Sequence, residues 1–574
     1  MADETIQAPD DLLLSANFDQ TLRGDDIALR TRQWLMEAFD HPLWKDYIRH
    51  SDEDEGYYTT DDLGAWSVDG SKQDARALVE AGRPVVSLRH IKPQVDVLVG
   101  TQRQNRVDPK ALPQGAEDED DATAMSMLLK HEADQTQLSY AESVAFKAAL
   151  IRGMSAIELG IDWSADEIQG RTVVEVLKPG KNVIWDPYWA EYEQYDLDEG
   201  RFIVRWRWAW VDDVLARHPD KQDEIERAIN DLVPLQVAAA APTTDGPAAD
   251  AYGSTTAHPL EPTLGQGSSM FYDPAMRRIM VAVVWWRDYR SRWVVYDQTT
   301  SRREKFTTKD EAKAFADSDP DRLTLSEQRV RVIRTATVLP ATAQAIEKET
   351  DSPYTNDLEH YPIIPVIADK TGQVIEGLVR GLKDPQRIEN KRISHALELA
   401  QSYGNMRRKA VHGAVENPES IQDPTYRGVV WVKPGMMDAI GWDIPQGLAE
   451  AVRVHEVIAA DMKGVLREIG PNQEMLGQPG QTLSGIAMAR RQIQSQTTMF
   501  PYFDNLALSR KLLYARLARR VQQRYSRENA VRLLGPFGES MTVLVNPTQF
   551  RGDAYDKDAL RRRREEARRD PTKP

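Results

Sequence analysis

The segment Val95–Arg106, VDVLVGTQRQNR, changes character halfway along. Val95, Val97, Leu98 and Val99 are apolar, whereas Arg103, Gln104, Asn105 and Arg106, just beyond Gly100, hydrogen-bond or carry charge. That boundary predicts a buried helix running out into an exposed, hydrogen-bonding end. The helix is expected to occupy the stretch from Pro84 through Gly100 and a little beyond.

Helical periodicity is also present upstream, over residues 26–50, through Ile27, Leu29, Leu35, Phe39 and Leu43. Downstream, the polar loop Val107–Asp121 ends in an acidic run from Glu117. Negative charge there favours the start of one long helix over Ala122–Arg152, which Gly153 stops. Gly170–Ile184 reads as strand and Trp185-Asp186-Pro187 as a turn. Arg201–Val211 alternates, with Val204, Trp206, Trp208 and Trp210 on one face and Arg205 and Arg207 on the other. A helix is expected over Val211–Leu235. Residues 236–270, rich in Ala, Pro, Gly, Ser and Thr, are expected to form a flexible surface insertion.

Strands resume over 279–340, with a charged helical piece near Thr307–Ala316. Tyr361–Ala368 is extended and apolar, and its two prolines favour an edge or a non-paired run. The next helix is expected to start with Asp384 as N-cap and Pro385 in its first turn. It runs to about Tyr403, where Gly404-Asn405 stops it. A short strand over 428–434 precedes an amphipathic helix over Leu448–Ile469. Further helices are expected over Ser484–Met499 and Tyr502–Arg527, followed by a charged tail, Ala559–Pro574.

Composition narrows the function classes. At 574 residues the chain exceeds one core, so two to four structural units are expected. It has no cysteine, which excludes disulfides and thiolate metal sites and fits an intracellular site of synthesis. The acidic N-terminus has no apolar core of the kind a signal peptide needs. The apolar run Ile279–Trp286 is far short of the roughly 20 residues a membrane span requires and reads as a buried strand, so no membrane partner is expected. A net charge of −16 argues against gripping DNA through its phosphates but not against letting it slide. Phosphate-loop and zinc-protease signatures are missing, and lone histidines such as His395 and His455 nominate no catalytic site, metal or cofactor.

Three basic or aromatic features carry two readings each. The Trp206/Trp208/Trp210 stripe reads as the core face of a sheet, with a base-stacking platform as the alternative. Arg561–Arg564 and Arg568-Arg569 are interrupted by Glu565 and Glu566, so a solvated helical end stands beside a nucleic-acid contact. Arg407, Arg408 and Lys409 either complement the negative end of the helix before them or form a basic patch beside DNA.

VGTQRQNR at 99–106 recurs in order with Trp185-Asp186-Pro187, with Gly377–Asn390 (GLVRGLKDPQRIEN, including Arg380, Asp384, Pro385, Gln386, Arg387 and Asn390), with Ser484-Gly485-Ile-Ala487, and with Phe503-Asp504-Asn505. In that order the segments resemble the portal proteins of short-tailed, podovirus-type bacteriophages, over roughly residues 80–510. The resemblance implies a non-enzymatic α+β portal fold with a mixed α/β wing, helical stem, small α/β clip and helical crown. It places the first part of the wing at 1–235, the insertion leading to a first stem segment at 236–272, and the clip at 273–375. The second stem helix falls at 376–403. A tunnel loop, channel helix and the rest of the wing fall at 404–500, and the crown and charged tail at 501–574. A long C-terminal barrel is not expected. The resemblance also implies a homo-oligomeric ring, twelvefold by analogy, at one capsid vertex of the virion. Its partners would be double-stranded DNA in the channel, the large terminase subunit, head-to-tail adaptors, and capsid and scaffolding proteins. Another phage connector or tail protein is the second reading, and a DNA-processing enzyme the third.

Overall fold

A computed structural model describes residues 25–59, 73–113, 119–163, 170–191, 195–239, 271–273, 276–297, 303–306, 309–317, 322–354, 357–404, 408–417, 431–436, 440–442, 448–469, 499–525, 529–534 and 540–545. Two apolar cores organise them. The first lies under a seven-stranded antiparallel sheet. Its path is β3 (Val183–Trp185), β4 (Phe202–Trp210), β6 (Arg278–Asp297), β8 (Leu323–Leu339) and β9 (Gln344–Asp351), with β5 (Tyr272–Asp273) and β7 (Arg303–Phe306) added to β6. Helices α1 (Asp25–Asp40) and α2 (Pro42–Thr59) cover it with Ile27, Leu35, Phe39 and Trp44. The second core joins α4 (Ile91–Gln104), α5 (Glu119–Gln135), α6 (Leu138–Arg152) and α12 (Phe500–Arg524) to a three-stranded sheet. That sheet runs β10 (Ile363–Ile367), β1 (Met154–Asp162), β2 (Arg171–Leu177).

The alternating tryptophans behave as a half-buried strand should. Val204 and Trp206 are fully buried, Trp208 packs partly against the core, and Trp210 at the strand end is half exposed beside Arg278. Arg205 on the opposite face is held by Glu158 and Glu175 of β1 and β2. Residues 202–210 pair with 278–286 in unbroken register, so the expected boundary at 273 crosses a sheet rather than separating two units. The run Ile279–Trp286 is the buried start of β6, which continues to Asp297. β10 lies at a sheet edge, as Pro365 within it favours, with Pro365 opposite Ala156.

Three expected helix boundaries are corrected. The single helix over 122–152 is two, α5 and α6. Gln137 adopts a left-handed φ of 53°, and the Thr136 hydroxyl donates to the Glu132 carbonyl at 2.7 Å, so the ladder is interrupted without a glycine to announce it. The helix over 211–235 is α7 (Val211–Arg217) and α8 (Gln222–Ala239), divided at His218-Pro219 because proline ends the run before it. The helix expected from Asp384 begins earlier, as α10 (Leu378–Gly404), and Pro385 lies inside it. Leu378, Val379 and Leu382 are buried in the second core, and that burial extends the helix backwards past its apparent cap. Pro385 removes one hydrogen bond, to the carbonyl of Gly381, a residue on the exposed side.

α9 (Lys309–Ala316) sits on the far end of the β6–β8 hairpin over Val295. The remaining elements are α3 (Gln73–Glu80), α11 (Leu448–Ile469) and four short two-stranded pairings. These include β11 (Asp369–Thr371) with β12 (Val374–Glu376), β13 (Arg408–Ala410) with β14 (Ile440–Trp442), and β15 (Asn529–Leu534) with β16 (Ser540–Val545). The fourth is a single bridge, Val415 to Val432, where a strand over 428–434 was expected. α12 covers most of the helix expected over 502–527. The insertion beyond Ala239, the helix over 484–498, and the charged tail lie outside the described residues.

Two glycines give opposite expectations. A Cβ at Gly377 would lie 2.5 Å from the Leu150 carbonyl oxygen and 3.0 Å from the Gly153 nitrogen, backbone atoms that cannot yield. Gly377→Ala should lower the unfolding free energy by about 1–3 kcal/mol in urea titration. Gly100, mid-helix in α4, has open space at the same position, and Gly100→Ala should raise it by about 0.5–1 kcal/mol.

Candidate functional site

α10 is the longest helix among the described residues, 27 residues or about 40 Å. Its polar positions do unusual work. Residues 83–90 lie beside it outside any helix or strand, so their N–H groups need partners. Val86 donates to Ser394 Oγ at 2.9 Å, Leu88 to Asn390 Oδ1 at 3.0 Å, and His90 to Gln386 Oε1 at 3.3 Å. The donors recur every two residues of extended chain, about 6.6 Å. The acceptors recur every four residues of helix, about 6.0 Å. One face of α10 thus substitutes for a neighbouring strand. Gln386 Nε2 also donates to Asn390 Oδ1 at 3.0 Å, which fixes both amides. His90 then precedes α4, which starts at Ile91 rather than at Pro84 as expected, because residues 83–90 bond to α10 instead of forming a helical turn.

At its N-terminal end α10 is held by charge. Lys383 lies 2.6 Å from Glu53 and 3.2 Å from Asp54, and Arg380 lies 3.5 Å from Asp54. Burial pushes the Asp54 carboxyl up to about 6 despite those two cations. Toward its other end α10 packs against α11. The His395 and His455 rings stack at 5.7 Å, 7° from parallel, and Arg392 approaches His455 Nδ1 at 3.5 Å. Gln94, beside the Gln386 end, donates to the Leu466 carbonyl at 3.2 Å. Early α11 therefore meets late α10, and late α11 meets early α10: the two helices are antiparallel. Between them in sequence lie β13, β14 and the Val415–Val432 bridge.

The other singled-out residues are placed as follows. Arg103, Gln104, Asn105 and Arg106 are exposed at the end of α4, and Arg106 Nη2 donates to Ser143 Oγ at 3.1 Å. Ser143 Oγ in turn donates to buried Gln102 Oε1 at 2.7 Å, a partner the sequence did not nominate. Trp185 packs edge-on against Trp44 and Trp189, and its carbonyl accepts Trp44 Nε1 at 3.0 Å. Asp186 ends β3 and accepts both the backbone and the guanidinium of Arg201, and Pro187 starts a 3₁₀ turn. Asp384 is exposed and pairs with Arg387 at 2.8 Å. Asp504 is exposed, and Asn505 Nδ2 donates to the Ala368 carbonyl at 2.9 Å. Arg408 and Lys409 form part of β13, just past the end of α10. Arg407, Ser484 and Gly485 lie outside the described residues.

Among the described residues one group has the spacing of a cation site, Asp196, Asp198 and His360. Its charge is already answered from within. Arg516 Nη2 lies 2.9 Å from Asp198 and 3.1 Å from Asp196, and His360 Nδ1 is bonded to Asp198. Burial would raise Asp198, but His360 and Arg516 outweigh it and hold the carboxyl low. Burial and the Asp198 charge push Asp196 up. The cluster reads as an ion-pair knot fixing α12.

Asn390→Leu would strand the Leu88 N–H and should destabilise the fold by about 1–3 kcal/mol, with accelerated hydrogen exchange at that amide. Asp384→Ala should cost less than about 1 kcal/mol, because its pair with Arg387 is solvent-facing and caps nothing. The His395–His455 stack gives a pH dependence. Burial, then Arg392 and His395, lower the His455 pKa below its ordinary 6.5. The neutral ring is the one the fold favours, so this contribution is complete above pH 6.5 and is lost as pH falls below it. Amide protection in α11 should drop between pH 7 and pH 5, and His455→Gln should flatten that response.

No helix among the described residues is long and apolar enough to cross a membrane. No curated protein matches the chain. The sequence profile of phage P22-like portal proteins matches residues 32–566, nearly the whole length. The order of motifs around α4, α10 and α12 and that near-complete match agree: the chain belongs to the phage P22-like portal protein family, and it is a phage portal protein.

Proposed function

We propose that the protein closes head-to-tail into a ring of twelve, the capsid-vertex conduit through which double-stranded DNA is packaged and ejected. The observation that carries this reading, beside family membership, is the antiparallel pair α10/α11 joined by a small β connector. Two antiparallel helices of about 40 and 33 Å, with paired β segments between them in sequence, support the reading of a stem with a clip. On this reading the wing comprises the two cores, including residues 273–375, whose strands are hydrogen-bonded into the sheet of β3 and β4. The stem is α10 and α11, the clip is the connector over 408–442, and α12 with the β15–β16 hairpin leads toward the crown. The clip end would meet the large terminase subunit during packaging and head-to-tail adaptors afterwards. The wing would meet capsid and scaffolding proteins. Assembly begins in the host cytoplasm and the ring ends in the virion. Hydrolysis of ATP then belongs to the terminase, and the ring has no chemical step of its own to perform.

Arg407, Arg408 and Lys409 fall where the stem enters the clip. Twelve copies would form a cationic collar in an otherwise acidic molecule, holding DNA at one level of the channel. Electron microscopy of the purified protein should show rings with a central hole, and a protein that stays monomeric both in solution and in particles overturns the reading. Changing the triplet to Gln should leave rings intact and alter DNA retention in assembled particles. Unaltered retention would reduce the triplet to compensation of the α10 dipole.

A further inference from the structure

Where the two sheets meet, two acids share one cation. Glu158 of β1 and Glu175 of β2 stand directly opposite each other in the antiparallel register. Opposite residues of paired strands project from the same face with Cβ atoms about 4.5–5.5 Å apart, and like charges so placed repel. Both acids are answered by a single residue of the other sheet. Arg205 Nη1 donates to Glu158 Oε2 at 2.5 Å, and Arg205 Nη2 donates to Glu175 Oε2. One guanidinium carries one positive charge, and here it is split between two carboxylates instead of serving one of them bidentately.

No other charge completes the group. Among the described residues no second cation lies within ion-pair distance of either acid. β10 faces Glu158 with Ile363, and β3 and β6 flank Arg205 with Val183 and Val283. Arg207, two residues further along β4, is exposed. The other face of the β1–β2 pair carries Val174 and Val176 into the second core. Tyr354 stands beside β1, its hydroxyl 3.6 Å from the position of a Cβ on Gly160. Burial pushes that hydroxyl up to about 12, so it stays neutral. Beyond it the Arg520 guanidinium lies over the Tyr354 ring and is drawn to Asp357. With both acids ionised the group is one negative charge in excess, at a place where Glu158 is only 7% exposed. With one proton bound it is neutral.

We infer that Glu158 and Glu175 carry one proton between them beneath Arg205, and that this proton makes the contact between the two sheets a titratable joint, tight while the proton is held and looser once it leaves. The proton sits on Glu158, since the Glu175 side chain is 49% exposed and keeps its charge in water. Burial, opposed by Arg205 and reinforced by the Glu175 charge, pushes the Glu158 carboxyl up to about 7. Freed into water the same carboxyl returns to its ordinary 4.5. The folded state therefore binds the extra proton between those two values. The contribution of the joint to stability is greatest at the acid end of that window and is lost as pH rises through about 7.

Counting the protons released when the full-length chain unfolds in urea tests this. At pH 6 the wild type should release about one proton per subunit more than Glu158→Gln, and at pH 8.5 the two should match. Asp54 and Asp196, which burial also pushes up, are common to both proteins and cancel. Glu175→Gln, a change at a half-exposed position, removes the opposing charge. Its release at pH 6.5 should fall below that of the wild type by at least about a third of a proton. Amide exchange corrected for its intrinsic rate should show β1 and β2 less protected at pH 8 than at pH 6 in the wild type, and equally protected in Glu158→Gln. Equal release by wild type and Glu158→Gln at pH 6 overturns the bound proton. Release unchanged by Glu175→Gln overturns the pairing, because burial alone would then hold the proton. Protection that ignores pH in the wild type overturns the joint. If Glu158→Gln does not fold, wild type against Glu175→Gln decides by the same count. None of these outcomes bears on the ring, which microscopy judges separately.

Discussion

The placement of α10 depends on a hydrogen-bond ladder between unlike elements. The donors are main-chain N–H groups of an extended segment, and the acceptors are side chains four apart on a helix. The repeats differ by only about 0.6 Å per step, so three rungs fit before the mismatch grows. Beyond Val86 the next donor position is Pro84, which has no N–H, and the ladder ends there. The next residue along the acceptor row is Glu398, which pairs with the Arg83 side chain instead. Because the rungs specify which residue faces which, they set both the rotation and the axial position of α10 relative to α4. Gln94 then reaches Leu466 of α11, so the whole helix pair takes its register from the segment 86–90.

α12 is fixed by a different device. Arg510 meets Glu142, Arg516 meets Asp196 and Asp198, Arg519 and Arg520 meet Asp357, and Arg524 meets Glu132. The Arg520 guanidinium also lies 3.5 Å over the Tyr354 ring, and its side chain is fully buried. Buried ion pairs contribute little net stability, because desolvation offsets most of the attraction, but a single missing partner is heavily penalised. A row of five arginines facing carboxylates from α5, α6 and two loops therefore acts chiefly as specification. One register of α12 brings all five within ion-pair distance of a carboxylate. The apolar residues Leu506, Leu513, Leu517 and Val521 supply the burial that those pairs do not.

Local chemistry explains which features could be read from the sequence. The α4 boundary was legible because burial and polarity change together at Gly100, and the alternation of β4 was legible because Val204 and Trp206 are buried on one face while Arg205 and Arg207 lie on the other. Gly153 announced its helix end through a left-handed φ of 91°. Gln137 did not announce the α5/α6 break, since a glutamine in that conformation carries no compositional signal. Asp384-Pro385 looked like a helix start and is not one. Burial of Leu378, Val379 and Leu382, a tertiary fact, outweighs the cap preference. At the candidate site, Gln386 and Asn390 were picked out by motif, but their role as acceptors depends on a segment about 300 residues away. Ser394 and Gln102 were missed for the same reason: long-range hydrogen bonds leave no periodicity. The β-sheet shared by residues 202–210 and 278–286 was equally invisible, because the register spans the 236–270 insertion.

The ion pairs also bear on what the outer surface presents to DNA. Each internal pair is neutral in sum, so the formal charge of −16 is borne by the residues those pairs leave over. Several of the arginines and lysines that could have neutralised phosphates, among them Arg205, Lys383, Arg516 and Arg520, are engaged with carboxylates inside the fold. A duplex gains affinity by releasing its counterions to protein cations, and the gain scales with the number of phosphates neutralised. Cations engaged inside the fold are not available for such contacts. On the proposed conduit, DNA would therefore meet low friction along most of its path and attraction only where cations are left facing out.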